Sequence, residues 1–313
     1  MSSASGELSE LVLELATGLR QRVLPALGSH AGRAHTSGGG GDGDVTFAID
    51  ADAETYLERF IAERAPRVAF YSEDRGLVEP AGAAEHVLVV DPIDGTRPAL
   101  AGFEAACVSV ALAPAADPAM GDVRVGCVVE IKSGACFFAV RGEQLRCDAP
   151  VALSSATDLR RLFWTYGLRG RPARPTIEVL AELIDASSVG GGTFDLGSAT
   201  YDMTRVLTGQ LDAYVDVGPR MIDEVPGMRA QFERVGDGDV LNNSPYDLAA
   251  GALILQEAGA IVTDAYGEPL DRRPLLGSGA DYQMSCVVSA NRELHYLLID
   301  QVDRGIARLA ARA

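Results

Sequence analysis

Leu8, Leu11, Val12, Leu15, Leu19 and Val23 recur at three- and four-residue spacing between Glu7 and Leu27, which predicts an amphipathic opening helix that closes near Pro25. The glycine-rich SHAGRAHTSGGGGDGD that follows, ending at Asp44, reads as a mobile loop, either a plain surface turn or a functional flap. Val45 to Ile49 has the pattern of a short strand, and after Asp50 the positions Ala53, Tyr56, Leu57, Phe60 and Ile61 return to helical spacing. Apolar runs from Val68 to Tyr71, His86 to Val90, Ala106 to Leu112, Val123 to Ile131 and Ala135 to Val140, divided by short turns, predict an antiparallel sheet.

The texture changes after about Pro150. Helical patterns from Thr176 to Ala186, Ala199 to Gly209, Leu248 to Ala258 and Arg292 to Ala311 alternate with strand-like Ala213 to Val217, Ala260 to Thr263 and Ser285 to Val288. That alternation predicts an α/β layer. Residues 1–150 are therefore expected to form a strand-rich α+β half and residues 151–313 an α/β half, with the Gly/Asp-rich stretch from Asp223 to Ser244 as a long loop.

Charge and cysteine usage narrow the function. The 313 residues carry 27 basic against 44 acidic side chains, a formal net charge of −17. Such a chain repels phosphate backbones and anionic lipid, so neither a nucleic-acid polymer nor a membrane is expected as partner, and an anionic ligand requires a local inversion of the field. The five cysteines form no CxxC pair and are odd in number, which favours free thiols in a reducing compartment. MSSASGELSE lacks a basic segment followed by an apolar one, and no apolar run reaches membrane-spanning length, so a cytoplasmic protein is expected. Lys132 is the only lysine, which excludes a Walker loop ending in GK[ST].

The candidate chemistry lies in carboxylates at the ends of strands and the starts of helices. In HVLVVDPIDGTRPA, residues 86–99, an apolar strand delivers Asp91, Pro92 stiffens the turn, and Asp94 follows three residues on. Gly95 and Thr96 then open a short helix whose first amides are unpaired donors suited to an anion. Two carboxylates converging there repel each other unless a proton or cation lies between them, and hard oxygen ligands suit Mg²⁺. Glu73 and Asp74 follow the run from Val68 to Tyr71, and Asp247 stands at the N-cap of the helix from Leu248. Each alone reads equally well as a solvated turn or an ordinary cap. Three such placements in one chain do not match mere surface solvation.

These motifs resemble those of the inositol monophosphatase family of lithium-sensitive, Mg²⁺-dependent phosphatases, which includes fructose bisphosphatases and bisphosphate nucleotide phosphatases. The family's GEE element stands as SED at 72–74, DPxDGT as DPIDGT at 91–96, WDxAAG as YDLAAG at 246–251, and EAGGxVTDxxG as EAGAIVTDAYG at 257–267. The resemblance implies a layered αβαβα sandwich with the site between the two halves. It implies that Glu73, Asp91 and the Ile93 carbonyl hold a first Mg²⁺, that Asp91, Asp94 and Asp247 hold a second, and that a weaker third ion lies near Glu73 and Asp50. Thr96 with Glu73 would orient and deprotonate the attacking water, with Asp50 beside them, and the Gly95 and Thr96 amides would receive the phosphate. Asp216 falls where relatives bind substrate hydroxyls, and DLGSAT at 195–200, with Ser198, where backbone and small side chains line the sugar.

On this resemblance the ligand is a small phosphorylated metabolite: an inositol monophosphate-like cyclitol or sugar ester, with a 3′-phosphorylated nucleotide or fructose 1,6-bisphosphate as alternatives. Many relatives form homodimers, and the sequence leaves the oligomeric state open. The chain departs from the family in placing a long insertion, Pro219 to Pro245, between Asp216 and Asp247, where Arg220, Arg229 and Arg234 offer forks for a second anionic group. Two further readings carry little weight. A haloacid dehalogenase site fits the spacing of Asp50 and Asp52 but has only Lys132 for its lysine. A catalytically silent relative has no reason to retain every acid of a repulsive cluster.

Overall fold

The computed structural model describes residues 3–29, 31–39, 45–143 and 145–313. The opening helix runs Ser3–Val23 and buries Val12, Leu15, Ala16, Leu19 and Val23, the stripe its spacing predicts. A second helix, Ala48–Arg64, packs beside it with Ile49, Ala53, Leu57 and Ile61 inward. Both lie on one face of a seven-stranded sheet drawn from residues 69–147. Apart from the parallel pair Ala69–Ser72 and His86–Asp94, that sheet is antiparallel.

The other face of the sheet carries the helices Ala199–Leu207 and Pro245–Ala258. The second of these is apolar on nearly every side, as befits a helix clasped between two sheets: Leu248, Ala249, Ala250, Leu253, Ile254 and Leu255 are all buried. Gly126 permits the close approach, since a Cβ there would lie 2.9 Å from the Ala250 carbonyl oxygen. Beyond these helices lies a five-stranded mixed sheet from residues 163–289, ordered with Ala213–Asp216 at its centre. Helices Ala173–Ser187 and Arg292–Ala310 pack against each other and cover its far face. The sequence of layers is helix, sheet, helix, sheet, helix, the expected αβαβα sandwich.

Four local expectations require correction. His35–Gly39 is a strand antiparallel to Val45–Phe47 and not loop, while the remainder of the glycine run, 40–44, lies outside the described residues. The strand beginning at His86 does not end at Asp91 but continues to Asp94 through a register shift between Asp91 and Asp94. Asp247 is not the N-cap of its helix; Ser244 is, and Asp247 occupies the third helical position. The stretch from Asp223 to Ser244 is not one long loop. The helix Gly218–Glu224 runs into its start and the helix Met228–Val235 lies within it, with Met221, Val225, Met228 and Phe232 buried against the five-stranded layer.

Candidate active site

Two elements bring the three acids together. The bulged end of His86–Asp94 supplies Asp91 and Asp94, and the first turn of Pro245–Ala258 supplies Asp247. One carboxylate oxygen from each lies within 4.8 Å of the others. The bulge matters because a regular strand turns side chains at i and i+3 to opposite faces, whereas one extra residue turns both to the same side.

Each acid accepts hydrogen bonds from its surroundings. Asp91 Oδ1 accepts the Ile93 amide at 2.9 Å. Asp94 Oδ2 accepts the Ser198 hydroxyl at 2.7 Å and the Thr200 amide at 2.6 Å. Asp247 Oδ2 accepts the Ser244 amide at 2.6 Å, which makes it both a helix-capping and a cluster residue. Burial first, and then the charges of Asp94 and Asp247, hold the Asp91 carboxyl well above its usual range. Burial likewise raises Asp94, opposed by its bonds to Thr200 and Ser198. An all-oxygen, net-negative donor set of this kind fits a hard divalent cation such as Mg²⁺.

Around the cluster, Glu73, from the turn after Ala69–Ser72, lines the same cleft as Asp94 and Asp247 but stands outside the three-carboxylate group. The Ile93 carbonyl accepts the Thr96 hydroxyl at 3.1 Å, and the same hydroxyl lies 3.1 Å from Asp50 Oδ1. Asp50 also accepts the Phe47 amide at the start of its helix, and burial pushes its carboxyl up to about 6 against these two bonds. Gly95 has φ +90°, and a Cβ there would lie 2.5 Å from the Ala105 carbonyl and 2.8 Å from Ser198 Cβ. Only glycine fits this position.

The sequence reading missed a second tier of residues. Glu54, one helical turn after Asp50, is buried; its carboxylate accepts the Ser72 hydroxyl at 2.8 Å and the Asp74 amide at 3.3 Å, bracing the turn that carries Glu73. Burial, its largest influence, raises its carboxyl to about 7. The spacing of four from Asp50 was the available signal. Arg169, Arg171, Asp195, Asp202, Asn242 and Asn243 also line the cleft, whose volume is about 60 Å³. The arginines of GLRGR follow a strand, Phe163–Tyr166, that the hydrophobic pattern did not reveal.

Asp216 lies on the cleft wall, as expected, but its side chain is 0% exposed and is ion-paired with Arg171. Arg220, Arg229 and Arg234 of the insertion do not line the cleft. Arg220 is buried, donates to Glu224, Asp303 and the Ala265 carbonyl, and stacks over Tyr266. The end of the insertion, Leu241 to Asn243, is what reaches the cleft. A larger cavity of about 540 Å³ between the opening helix and the Arg64–Val68 turn is lined by none of these residues.

The sequence pattern of the inositol monophosphatase family matches residues 7–307. The chain belongs to that family. It is 26% identical over 275 residues to a fructose-1,6-bisphosphatase/inositol-1-monophosphatase of Methanothermobacter thermautotrophicus, covering 84% of this chain and 85% of the relative. It is 24% identical to an inositol-1-monophosphatase of Mesorhizobium japonicum, covering 85% and 86% respectively, and 26% identical to a Nus factor SuhB of Vibrio cholerae, covering 78% and 77%. Among solved structures, an inositol monophosphatase of Thermotoga maritima superposes with TM-score 0.69 at 19% identity, covering 95% of this chain and 96% of that one. The family membership accounts for the sandwich fold. Among the described residues, no helix is long and apolar enough to cross a membrane.

Proposed function

We propose that this family member is a Mg²⁺-dependent phosphatase that hydrolyses a phosphate monoester of a small sugar, cyclitol or related metabolite. The observation that carries the reading is the convergence of Asp91, Asp94 and Asp247, buried or half-buried acids whose oxygens lie within 4.8 Å of one another. Glu73, Asp91 and the Ile93 carbonyl are suited to one ion, and Asp91, Asp94 and Asp247 to another, with Glu73 and Asp50 flanking a weaker third. Mg²⁺ bound there offsets the phosphate dianion inside an acidic protein and lowers the pKa of a bound water.

The chain's own groups orient that water and the ester. Thr96 spends its hydroxyl proton on Asp50 or the Ile93 carbonyl, so its oxygen is turned to accept a proton from water. Asp50, raised to about 6 by burial, is matched to accept a proton near neutrality, and Glu73 on the cleft wall shares the orienting role. The Gly95 and Thr96 amides receive the phosphate, and the wall formed by Ser198 and the Asp216 region receives the remainder of the ester. Lithium inhibition is expected through the Asp91, Asp94 and Asp247 set. Phosphate release from p-nitrophenyl phosphate, measured with Mg²⁺ and with EDTA, tests the reading; equal rates in the two conditions refute it.

A further inference from the structure

Asp216 is the acid that the family resemblance assigns to ligand hydroxyls, yet its oxygens are already occupied. Oδ2 receives the Arg171 guanidinium, Asn243 Nδ2 at 3.1 Å and the Tyr214 hydroxyl at 3.4 Å, and Oδ1 receives the Gly218 amide at 3.1 Å. The surrounding chain seals this network. A Cβ at Gly167 would lie 2.4 Å from Asp216 Oδ2, so only a glycine backbone passes there. A ligand hydroxyl reaching Asp216 would have to displace one of these donors, and displacing Arg171 would strand a cation whose side chain is only 6% exposed.

Asp195 presents the opposite situation. It follows the strand Gly192–Phe194, lines the same cleft, and precedes by three residues the Ser198 that holds Asp94. It is exposed, and it feels the charges of Arg171 and Asp216 without a hydrogen bond to either. Arg171 and Asn242 line the same cleft. An exposed carboxylate in the cleft, with no hydrogen bond to Arg171 or Asp216, is a group that a ligand hydroxyl can satisfy by donating to it.

We infer that Asp195, not Asp216, is the carboxylate that selects ligand hydroxyls in this cleft, and that the Arg171–Asp216 pair is the fixed wall behind it. The inference rests on the phosphatase reading and names its specificity element. The ligand class is a phosphate ester of a polyol or sugar with a neighbouring hydroxyl directed away from the metal-binding acids. A carboxylate accepts two vicinal hydroxyls with its two oxygens, whereas the amide of Asn provides one acceptor only.

The test compares Mg²⁺-dependent hydrolysis of myo-inositol 1-phosphate with that of p-nitrophenyl phosphate, which has no hydroxyl, in wild type, Asp195→Ala, Asp195→Asn and Asp216→Asn. Asp195→Ala is expected to raise KM for the polyol ester at least about tenfold more than KM for the aryl ester, with Asp195→Asn between it and wild type. Asp216→Asn is expected to lower the melting temperature and to shift KM for the two esters by the same factor. Equal shifts for both esters in Asp195→Ala, or a polyol-selective loss in Asp216→Asn, overturn the inference while leaving the phosphatase reading intact. A wild-type protein that hydrolyses neither ester refutes that reading and the inference with it.

Discussion

The Ser198 hydroxyl donates a 2.7 Å hydrogen bond to Asp94 Oδ2, joining residues 104 positions apart. Asp94 ends a strand of the seven-stranded sheet, and Ser198 caps a helix of the middle layer by also accepting the Tyr201 amide at 3.1 Å. One hydroxyl therefore terminates a helix and orients an acid of the cluster. The layer packing that buries Met203 and Leu248 thus also fixes the site.

Ser198→Ala should separate these roles from folding. The Thr200 amide still holds Asp94 at 2.6 Å, so the loss is about 1 to 1.5 kcal/mol, and the Mg²⁺ concentration for half-maximal phosphate release should rise roughly tenfold. A Mg²⁺ titration of activity checks it, and an unchanged midpoint would show that Ser198 serves the helix alone.

Thr96→Ala should lower kcat far more than KM, because the lost hydroxyl acts on water and not on the ester. Steady-state kinetics on p-nitrophenyl phosphate provides the comparison. A change confined to KM would make Thr96 a ligand-binding residue.

How much of this was legible in the sequence depended on range. Helices with a single apolar stripe, such as Ser3–Val23, were readable because their partners lie on one side. The site acids were readable because their motifs are local: DPIDGT carries both Asp91 and Asp94 within six residues. The strand Phe163–Tyr166 was not, because only four residues long, with an exposed Phe163, it has too little pattern to distinguish from loop. The helices of 218–235 were hidden by Pro, Gly and a high density of charge, and their stripe of Met221, Val225, Met228 and Phe232 emerges only once the layer beneath it is known. The occupation of Asp216 by Arg171 joins residues 45 apart and leaves no trace in local spacing.

The insertion therefore has a structural cost that its loop-like composition did not suggest. Phe232 is 0% exposed, and Phe232→Ala should destabilise the protein by about 3 to 5 kcal/mol, read as a lowered melting temperature. Arg229→Ala, at an exposed position of the same helix, should stay within about 0.5 kcal/mol of wild type. Equal, small effects at both positions would show that the helix is only loosely attached.

Glu54 predicts a pH dependence. Its carboxyl stands at about 7 in the folded protein against 4.5 for an ordinary glutamate, chiefly through burial. Between these values the folded state holds a proton that the unfolded state has released, so this contribution to stability is complete below about 4.5 and is lost as pH rises through 7. The loss is on the order of 3 kcal/mol. Glu54→Gln keeps the shape but cannot ionise, so in EDTA its stability relative to wild type should be higher at pH 8 than at pH 5. Parallel pH profiles for the two proteins in urea unfolding would show that Glu54 ionises without penalty.

The proposal that Asp91, Asp94 and Asp247 hold a catalytic Mg²⁺ is tested most directly by Asp94→Asn, which removes one carboxylate charge from the cluster and preserves shape. Phosphate release from p-nitrophenyl phosphate in saturating Mg²⁺ should fall roughly a hundredfold or more relative to wild type, with an unchanged circular dichroism spectrum. Near-wild-type turnover by a folded Asp94→Asn protein would contradict the account.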